Sequence, residues 1–130
     1  MRKQTSLRPH PVRTIRDRRG TLRIFEKDSS IPFSLKRCFV ISGVPEGQSR
    51  AEHALTCDQF LVMLVGSCRL TFKDGHSSGS MTLSTPAKGV LLRKGVWLRL
   101  DRFSTGAHLL VCASQKYRAP RRQKQKTTDA

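Results

Sequence analysis

Three side chains near the middle of the chain have the chemistry of a reactive site. They are Arg50, His53 and Gln59, within the segment SRAEHALTCDQ. An unperturbed imidazole titrates at about pH 6.5, so His53 can accept and donate a proton near neutrality. The guanidinium of Arg50 presents a planar fork of donors that suits phosphate. Both residues also have ordinary interpretations, His53 as a strand-edge histidine and Arg50 as a solvated loop arginine.

The elements that must position these side chains have the pattern of a β-protein. Short apolar or alternating runs recur every 8 to 12 residues or so, which is typical of a sandwich or barrel. The predicted strands are 21–27, 36–42, 59–65, 68–75, 81–85, 89–93, 96–100 and 108–113. Residues 49–60 form either a short helix or a loop that enters a strand. Because no long segment repeats with a period of 3.6 residues, we predict an all-β fold.

The alternation along these runs also predicts which residues are buried. Side chains two apart in a strand share a face, so the apolar face of each run is assigned to the core. The predicted core is Leu22, Ile24, Phe39, Ile41, Phe60, Val62, Leu64, Leu70, Phe72, Leu92, Trp97, Leu110 and Val111.

The net charge of +16 is concentrated at the two ends of the chain. Residues 1–19 contain seven basic residues and one acidic residue, and residues 116–130 contain six and one. Neither end has apolar periodicity and both contain proline, so we predict disordered basic tails at 1–16 and 118–130 around one domain at 17–117. Such tails can attract nucleic acid or another polyanion, although almost no aromatic residues lie among the basic ones to stack on bases.

Several features bear on the compartment of the protein. No apolar run approaches the roughly 18 residues of a membrane helix, and the start of the chain lacks the apolar segment of a secretory signal. The four cysteines form no C-x-x-C pair, which argues against a zinc ribbon and a dense disulfide framework. We therefore expect a cytoplasmic protein, not associated with a membrane, with reduced and mostly buried thiols. An organelle transit peptide is the alternative for the Arg-rich start.

The segment around His53 has the spacing of the first cupin motif, which reads Gly, His-x-His, Glu, Gly. The corresponding residues here are Gly47, His53, Leu55, Gln59 and Gly66. Leu98 occupies the place of the histidine in the second motif. Leucine has no lone pair, an amide is a poor ligand for a transition metal, and a catalytic metal ordinarily needs three protein ligands. The resemblance implies a cupin jelly-roll barrel, a double-stranded β-helix, with a metal-free site.

Five blocks resemble a narrower family, the dTDP-4-keto-6-deoxyglucose 3,4-ketoisomerases, which are WxcM-like, metal-independent cupins. The blocks lie at 17–22, 31–37, 44–54, 58–61 and 97–114, so the resemblance covers about 17–117. The most distinctive are Asp-x-Arg-Gly-x-Leu, which begins at Asp17, and Leu-Asp-x-Phe-Ser-x-Gly, which begins at Leu100.

This family moves a ketone from C4 to C3 of a thymidine-diphosphate sugar through an enediol, for deoxysugar and polysaccharide biosynthesis. The resemblance implies a cytoplasmic, homodimeric isomerase that takes a dTDP-sugar and no cofactor. It implies that His53 is the general base and that Arg50, Gln59, Trp97 and Arg37 bind the nucleotide sugar. Trp97 has the alternative role of a barrel-wall residue.

At three positions the chain lacks a histidine or tyrosine that the family pattern has. The second histidine is Leu55, and the tyrosines expected after Arg37 are Phe39 and Val40. Removing a positioned acid or base typically costs about 10²–10⁴ in rate. Three hypotheses follow: a ketoisomerase that is slow or degenerate, a non-catalytic relative that still binds a nucleotide sugar, and a polyanion-binding protein that uses its basic tails.

Overall fold

The computed structural model describes residue 7 and residues 9–116, and within them it has eleven β-strands and no helix. The strands are β1 (Pro9–Pro11), β2 (Arg13–Asp17), β3 (Gly20–Ile24), β4 (Arg37–Ser42), β5 (Arg50–Ala54), β6 (Gln59–Val65), β7 (Cys68–Lys73), β8 (Ser78–Leu83), β9 (Lys88–Leu92), β10 (Trp97–Asp101) and β11 (His108–Ala113). The all-β prediction is confirmed. No helix in this described part is long and apolar enough to cross a membrane.

Nine of the strands form two antiparallel sheets. The five-stranded sheet has the order β1-β9-β6-β11-β4, and the four-stranded sheet has the order β5-β10-β7-β8. β2 and β3 form a separate hairpin. Side chains from both sheets pack into one core, with Leu61, Leu92 and Leu109 from the first sheet and Leu70 and Leu98 from the second. This double-sheet arrangement agrees with the jelly-roll barrel that the sequence implied.

The described part of the amino-terminal segment is ordered, so the prediction of a disordered tail at 1–16 is wrong for residues 9–16. β1 pairs with β9 at the edge of the five-stranded sheet, where proline is tolerated because its outer side needs no N–H donor. His10 lies opposite Gly89 and contacts the Phe60 ring edge to face, at 6.2 Å between centroids. A Cβ at Gly89 would overlap the Phe60 ring, so this glycine makes the close packing possible. Residues 1–6, 8 and 117–130, which include the predicted tail at 118–130, lie outside the described residues.

The segment 49–60, which the sequence left open between helix and loop, contains β5 and the start of β6. β5 pairs with β10, which in turn pairs with β7. Arg50 and His53 therefore lie on a strand that forms the edge of the four-stranded sheet, whereas Gln59 begins β6 in the five-stranded sheet. Edge strands have one neighbour only, which leaves β5 room for an irregular conformation.

The predicted burial of Leu22 is wrong, because its side chain is 57% exposed. Leu22 lies opposite Ile15 in the β2–β3 hairpin, and Ile15 is 43% exposed. Alternation identifies which residues share a face, but it does not show whether another element covers that face. Seven of the predicted core residues are fully buried, namely Ile41, Phe60, Val62, Leu70, Phe72, Leu92 and Val111. The remaining five, Ile24, Phe39, Leu64, Trp97 and Leu110, are half-buried.

A second, smaller core lies on the other face of the five-stranded sheet. Val12 and Ile31 cover Phe60, Val62 and Cys112 there, with Phe25 and Phe33 packed alongside. The loop between β3 and β4 thus protects the outer face of strands β6 and β11.

Candidate active site

The core between the two sheets contains a small cavity, which His53 and Gln59 line together with apolar side chains. The apolar residues are Phe39, Ile41, Ala51, Leu55, Leu61, Leu98, Leu100 and Val111. The cavity volume is about 10 Å³, which is room for about one water molecule. His53 is the only imidazole among these wall residues, and an imidazole can both accept and donate a proton. A sugar ring can enter only if the wall moves.

A bulge in β5 positions His53. Ala51 pairs with Arg99 and His53 pairs with Leu98, so Glu52 is an extra residue between them. Ala51 and Glu52 both have left-handed backbone conformations, with φ angles of 72° and 67°. Bulges re-aim side chains and occur often beside functional sites. Here the bulge sets His53 directly opposite Leu98, and both side chains face the cavity.

Ion pairs on the outer face of the sheet hold the bulge in place. A carboxylate oxygen of Glu52 lies 3.5 Å from Nε of Arg99 and accepts a hydrogen bond of 3.2 Å from the Ser49 hydroxyl. Arg99 also lies 3.3 Å from the carboxylate of Asp101. Asp101 in turn accepts two hydrogen bonds of 2.9 Å from Arg69 on β7. The chain of charges therefore links the bulge to the next two strands.

The left-handed conformation of Ala51 predicts that Ala51→Gly stabilises the protein. A side chain at positive φ is strained, and replacing it with glycine should raise the free energy of unfolding by about 1 kcal/mol. Chemical denaturation monitored by circular dichroism measures the change. Ala54→Gly is the matched control, because Ala54 lies in the same strand without a positive φ. It should lower stability by about 0.5–1 kcal/mol, and a loss of stability in both variants would contradict the prediction.

Asp101 should make the stability of the sheet depend on pH. The hydrogen bonds from Arg69 hold the pKa of Asp101 below its usual value. Because the folded pKa is below the unfolded one, the pair stabilises the protein above about pH 4 and loses its effect as the pH falls through the folded pKa. Asp101→Asn should therefore lower stability at pH 7, and its difference from the parent should shrink in acid.

Urea unfolding at a series of pH values measures this effect. Asp17→Asn is the control, because Asp17 also pairs with an arginine, Arg19, but both side chains are exposed. Exposed pairs contribute little, so this variant should match the parent at pH 7. An Asp101→Asn difference that stays constant from pH 7 into acid would contradict the assigned role of the carboxylate.

The His53 ring is half-buried, and Nδ1 lies 3.2 Å from the carbonyl oxygen of Ala54. A neutral ring that donates from Nδ1 keeps a lone pair on Nε2. In the described part of the chain, no carboxylate forms an ion pair with this ring. The arrangement leaves Nε2 available to accept a proton from a bound molecule.

The two arginines that the sequence singled out, Arg50 and Arg37, each begin a strand that contributes side chains to the cavity wall. Arg50 begins β5 opposite Leu100, and its Nε is buried without a hydrogen-bond partner among the described residues. Leaving a charged donor buried and unpaired is costly. Arg37 begins β4, and its guanidinium carbon lies 5.1 Å from the centre of the Phe39 ring. The structure thus brings His53, Gln59 and Phe39 together on the cavity wall, whereas neither Arg37 nor Arg50 is among the residues that line the cavity.

Trp97 is not brought to the cavity. Its neighbour Leu98 lines the cavity, and side chains alternate along a strand, so Trp97 lies on the opposite face of β10. The Lys73 ammonium lies 4.9 Å from the centre of the Trp97 ring. The barrel-wall interpretation of Trp97 therefore fits its position, and a stacking role in the cavity does not.

A larger, polar cleft of about 340 Å³ lies beside the cavity. Residues 56–58 border it, whereas Leu55 and Gln59 on either side of them border the cavity. Lys94 and Lys116 bring positive charge to the cleft, and Asp58 accepts a hydrogen bond of 2.8 Å from the Lys94 backbone. No sequence motif marks this cleft, because its residues come from the β5–β6 loop, the β9–β10 loop and the segment after β11.

The chain matches a known protein family and a curated relative. Residues 5–125 match the family described as "FdtA: WxcM-like, C-terminal". The TDP-4-oxo-6-deoxy-α-D-glucose-3,4-oxoisomerase of Aneurinibacillus thermoaerophilus is 37% identical over 102 residues, which are 78% of this chain and 73% of that protein.

Solved structures of ketoisomerases resemble the fold closely. WlaRB, a TDP-quinovose 3,4-ketoisomerase of Campylobacter jejuni, is 34% identical with a TM-score of 0.83, covering 89% of this chain and 90% of its own. A variant of QdtA, a 3,4-ketoisomerase of Thermoanaerobacterium thermosaccharolyticum, was solved in complex with TDP-4-keto-6-deoxyglucose. It is 27% identical with a TM-score of 0.81, covering 89% of this chain and 85% of its own.

Proposed function

Because this chain belongs to the FdtA family (WxcM-like, C-terminal), we propose that it is an isomerase that moves the ketone of a TDP-4-keto-6-deoxy sugar from C4 to C3. The observation that carries the proposal is a histidine, His53, on the wall of the barrel cavity in a chain 37% identical to a 3,4-oxoisomerase. None of the relatives described above is a polyanion-binding protein or a non-catalytic binder.

The reaction needs a base that can return the proton it removes. In the proposed mechanism, Nε2 of His53 takes the proton from C3, which produces an enediol or enediolate across C3 and C4. The proton of the C3 hydroxyl passes to the oxygen on C4, the same imidazolium protonates C4, and the ketone is left at C3. One base can serve both carbons when they present the same face to it, and an imidazole is suited to both steps near neutral pH. The Gln59 amide lines the same wall, and in the proposed mechanism it donates a hydrogen bond to an oxygen of the intermediate.

Apolar residues on the cavity wall limit this chemistry in two ways. First, Leu55 and Phe39 cannot carry a proton, so they do not assist His53 as an acid or base. Second, these two side chains and Leu98 leave a cavity too small for a sugar ring. We therefore expect substrate binding to displace these side chains, and we expect turnover to be slow.

The test is incubation with TDP-4-keto-6-deoxyglucose in D₂O, followed by NMR. The expected result is conversion to the 3-keto sugar with deuterium at C4, together with deuterium at C3 of recovered substrate. Binding of the substrate without conversion or exchange over hours at high protein concentration would instead establish a non-catalytic binder. Absence of both binding and conversion would reject the nucleotide-sugar proposal altogether.

The nucleotide end of the substrate is assigned to Arg50. Its unpartnered, buried Nε is suited to a phosphate oxygen. Hydrogen bonds to charged groups contribute about 1.5–3 kcal/mol, so Arg50→Ala should weaken TDP binding by about 10- to 100-fold. Isothermal titration calorimetry with TDP measures this.

Lys88→Ala is the matched control for Arg50→Ala. It removes one positive charge from an exposed position on β9, in the other sheet. Equal weakening by both substitutions would mean that TDP is attracted by overall charge and not held by Arg50.

We also propose a homodimer in the cytoplasm. The exposed Ile15–Leu22 pair of the β2–β3 hairpin supports dimerisation, since apolar cross-strand pairs are ordinarily covered. The four free cysteines suit a reducing compartment. Sedimentation velocity that finds a monomer at micromolar concentration would contradict the dimer.

A further inference from the structure

Two cysteines face each other across the strand pair β4 and β11. Cys38 and Cys112 are direct partners in the antiparallel register. Cys38 is exposed, whereas Cys112 is 1% exposed beneath the second core. The sequence predicted mostly buried thiols, and Cys38 is the exception. An oxidant in solution can therefore react directly with Cys38, and it can oxidise Cys112 only through Cys38.

The backbone geometry suits a bond between these two residues. Directly opposite residues of an antiparallel pair have Cα atoms about 4.5–5.5 Å apart, and disulfides span about 4.4–6.8 Å. β4 is the edge strand of its sheet, so it can shift toward β11 without breaking a second ladder. We propose that Cys38 and Cys112 are a redox-sensitive pair that forms a reversible disulfide within one chain when the protein meets a peroxide.

The reaction balances with hydrogen peroxide as the oxidant. The Cys38 thiol loses its proton, its sulfur attacks one peroxide oxygen and the O–O bond breaks. The product is a sulfenic acid, and the departing hydroxide takes up the thiol proton and is released as water. The sulfur of Cys112 then attacks the sulfur of Cys38 and loses its proton, and the sulfenic hydroxyl leaves as a second water. Two thiols lose two electrons, and the peroxide is reduced to two waters.

The two thiols are suited to different steps. Burial, together with the nearby Cys38, raises the pKa of the Cys112 thiol to about 11, so Cys112 is a poor first nucleophile. Cys38 is the exposed thiol and takes the first step. Because opposite Cβ atoms in a sheet lie farther apart than in a relaxed disulfide, the bond is strained and readily reduced.

Such a bond would also bear on the cavity. The next pair in the register is Phe39 and Val111, and both line the cavity with His53. A disulfide would draw their strands together at this wall and hinder the widening that a sugar requires. This consequence rests on the proposed function, whereas the disulfide does not.

The test uses the native full chain treated with equimolar hydrogen peroxide, then denatured, alkylated and digested with trypsin for mass spectrometry. The expected product links peptide 38–50 to peptide 103–116, with a chain mass lower by two hydrogen atoms. The alkylated thiols should fall from four to two per chain, and dithiothreitol should restore them. Cys57 and Cys68 share peptide 51–69 and should stay alkylated.

Matched variants separate the pair from general oxidation. Cys57→Ser removes a buried thiol outside the pair and should leave the link intact, whereas Cys38→Ser should abolish it. Fully alkylated Cys112, Cys38 recovered only as sulfinic acid, or a link between two copies of peptide 38–50 would each overturn the proposal. A link found in a chain without isomerase activity would reject the proposed function alone, and isomerase activity without a link would reject the disulfide alone.

Discussion

Replacing His53 by asparagine is expected to slow isomerisation by about 100- to 10,000-fold. The substitution removes the only imidazole of the cavity wall, and with it the proposed general base, but it keeps a polar group of similar size. Deuterium exchange at C3 of the substrate should fall with turnover, because both start with the same proton abstraction. NMR in D₂O follows both quantities in one experiment.

Two measurements show whether such a loss is specific. TDP binding should stay within about twofold of the parent, since a base that acts only in the transition state contributes little to ground-state binding. His108→Asn is the matched control, because His108 is exposed at the start of β11 and contacts the Gly106 carbonyl. Exchange at C3 that survives in His53→Asn would show that another group is the base.

The double substitution Leu55→His with Phe39→Tyr is expected to raise the isomerisation rate by about 100-fold or more. Leu55 is 4% exposed and lines the cavity with His53, so an imidazole there would face the same bound sugar. A hydroxyl on the Phe39 ring would add a proton donor on the wall formed by β4. The variant would restore the two groups that the family pattern has at these positions.

The single variants and a stability measurement control this experiment. A polar group buried without a partner costs about 1–3 kcal/mol, so Leu55→His alone should lower the melting temperature. Unchanged TDP binding in the double variant would show that the barrel is intact. The double variant could fold and bind TDP but still isomerise at the parent's rate. That result would mean that the missing groups do not limit turnover and that the cavity itself has been remodelled.

The sequence by itself was sufficient for the fold class and for the identity of the candidate base. Strands such as β6 and β7 are predictable because apolar alternation and turn residues are local properties of the chain. The spacing around His53 was informative for the same reason, since motif residues on adjacent elements stand at fixed distances along the chain.

Tertiary structure decided the properties that depend on residues distant in sequence. The alternation of β3 predicted a buried Leu22, but no element of the described chain covers that face of the hairpin. The prolines and arginines of residues 9–16 suggested disorder, yet the edges offered by β9 and β3 pair with this segment. The bulge at Ala51 and Glu52 has no local signal either, because alanine and glutamate do not favour positive φ.

The same distinction holds for the site. The sequence supplied His53, Arg50 and Gln59 as candidate site residues. Three other features depend on which strands are neighbours: the absence of Trp97 from the cavity lining, a cavity volume that holds about one water molecule, and the pairing of Cys38 opposite Cys112. Local patterns record only the preferences of a residue and its near neighbours along the chain. Neighbours across a sheet are set by the packing of all strands at once, and that packing decides what each side chain can reach.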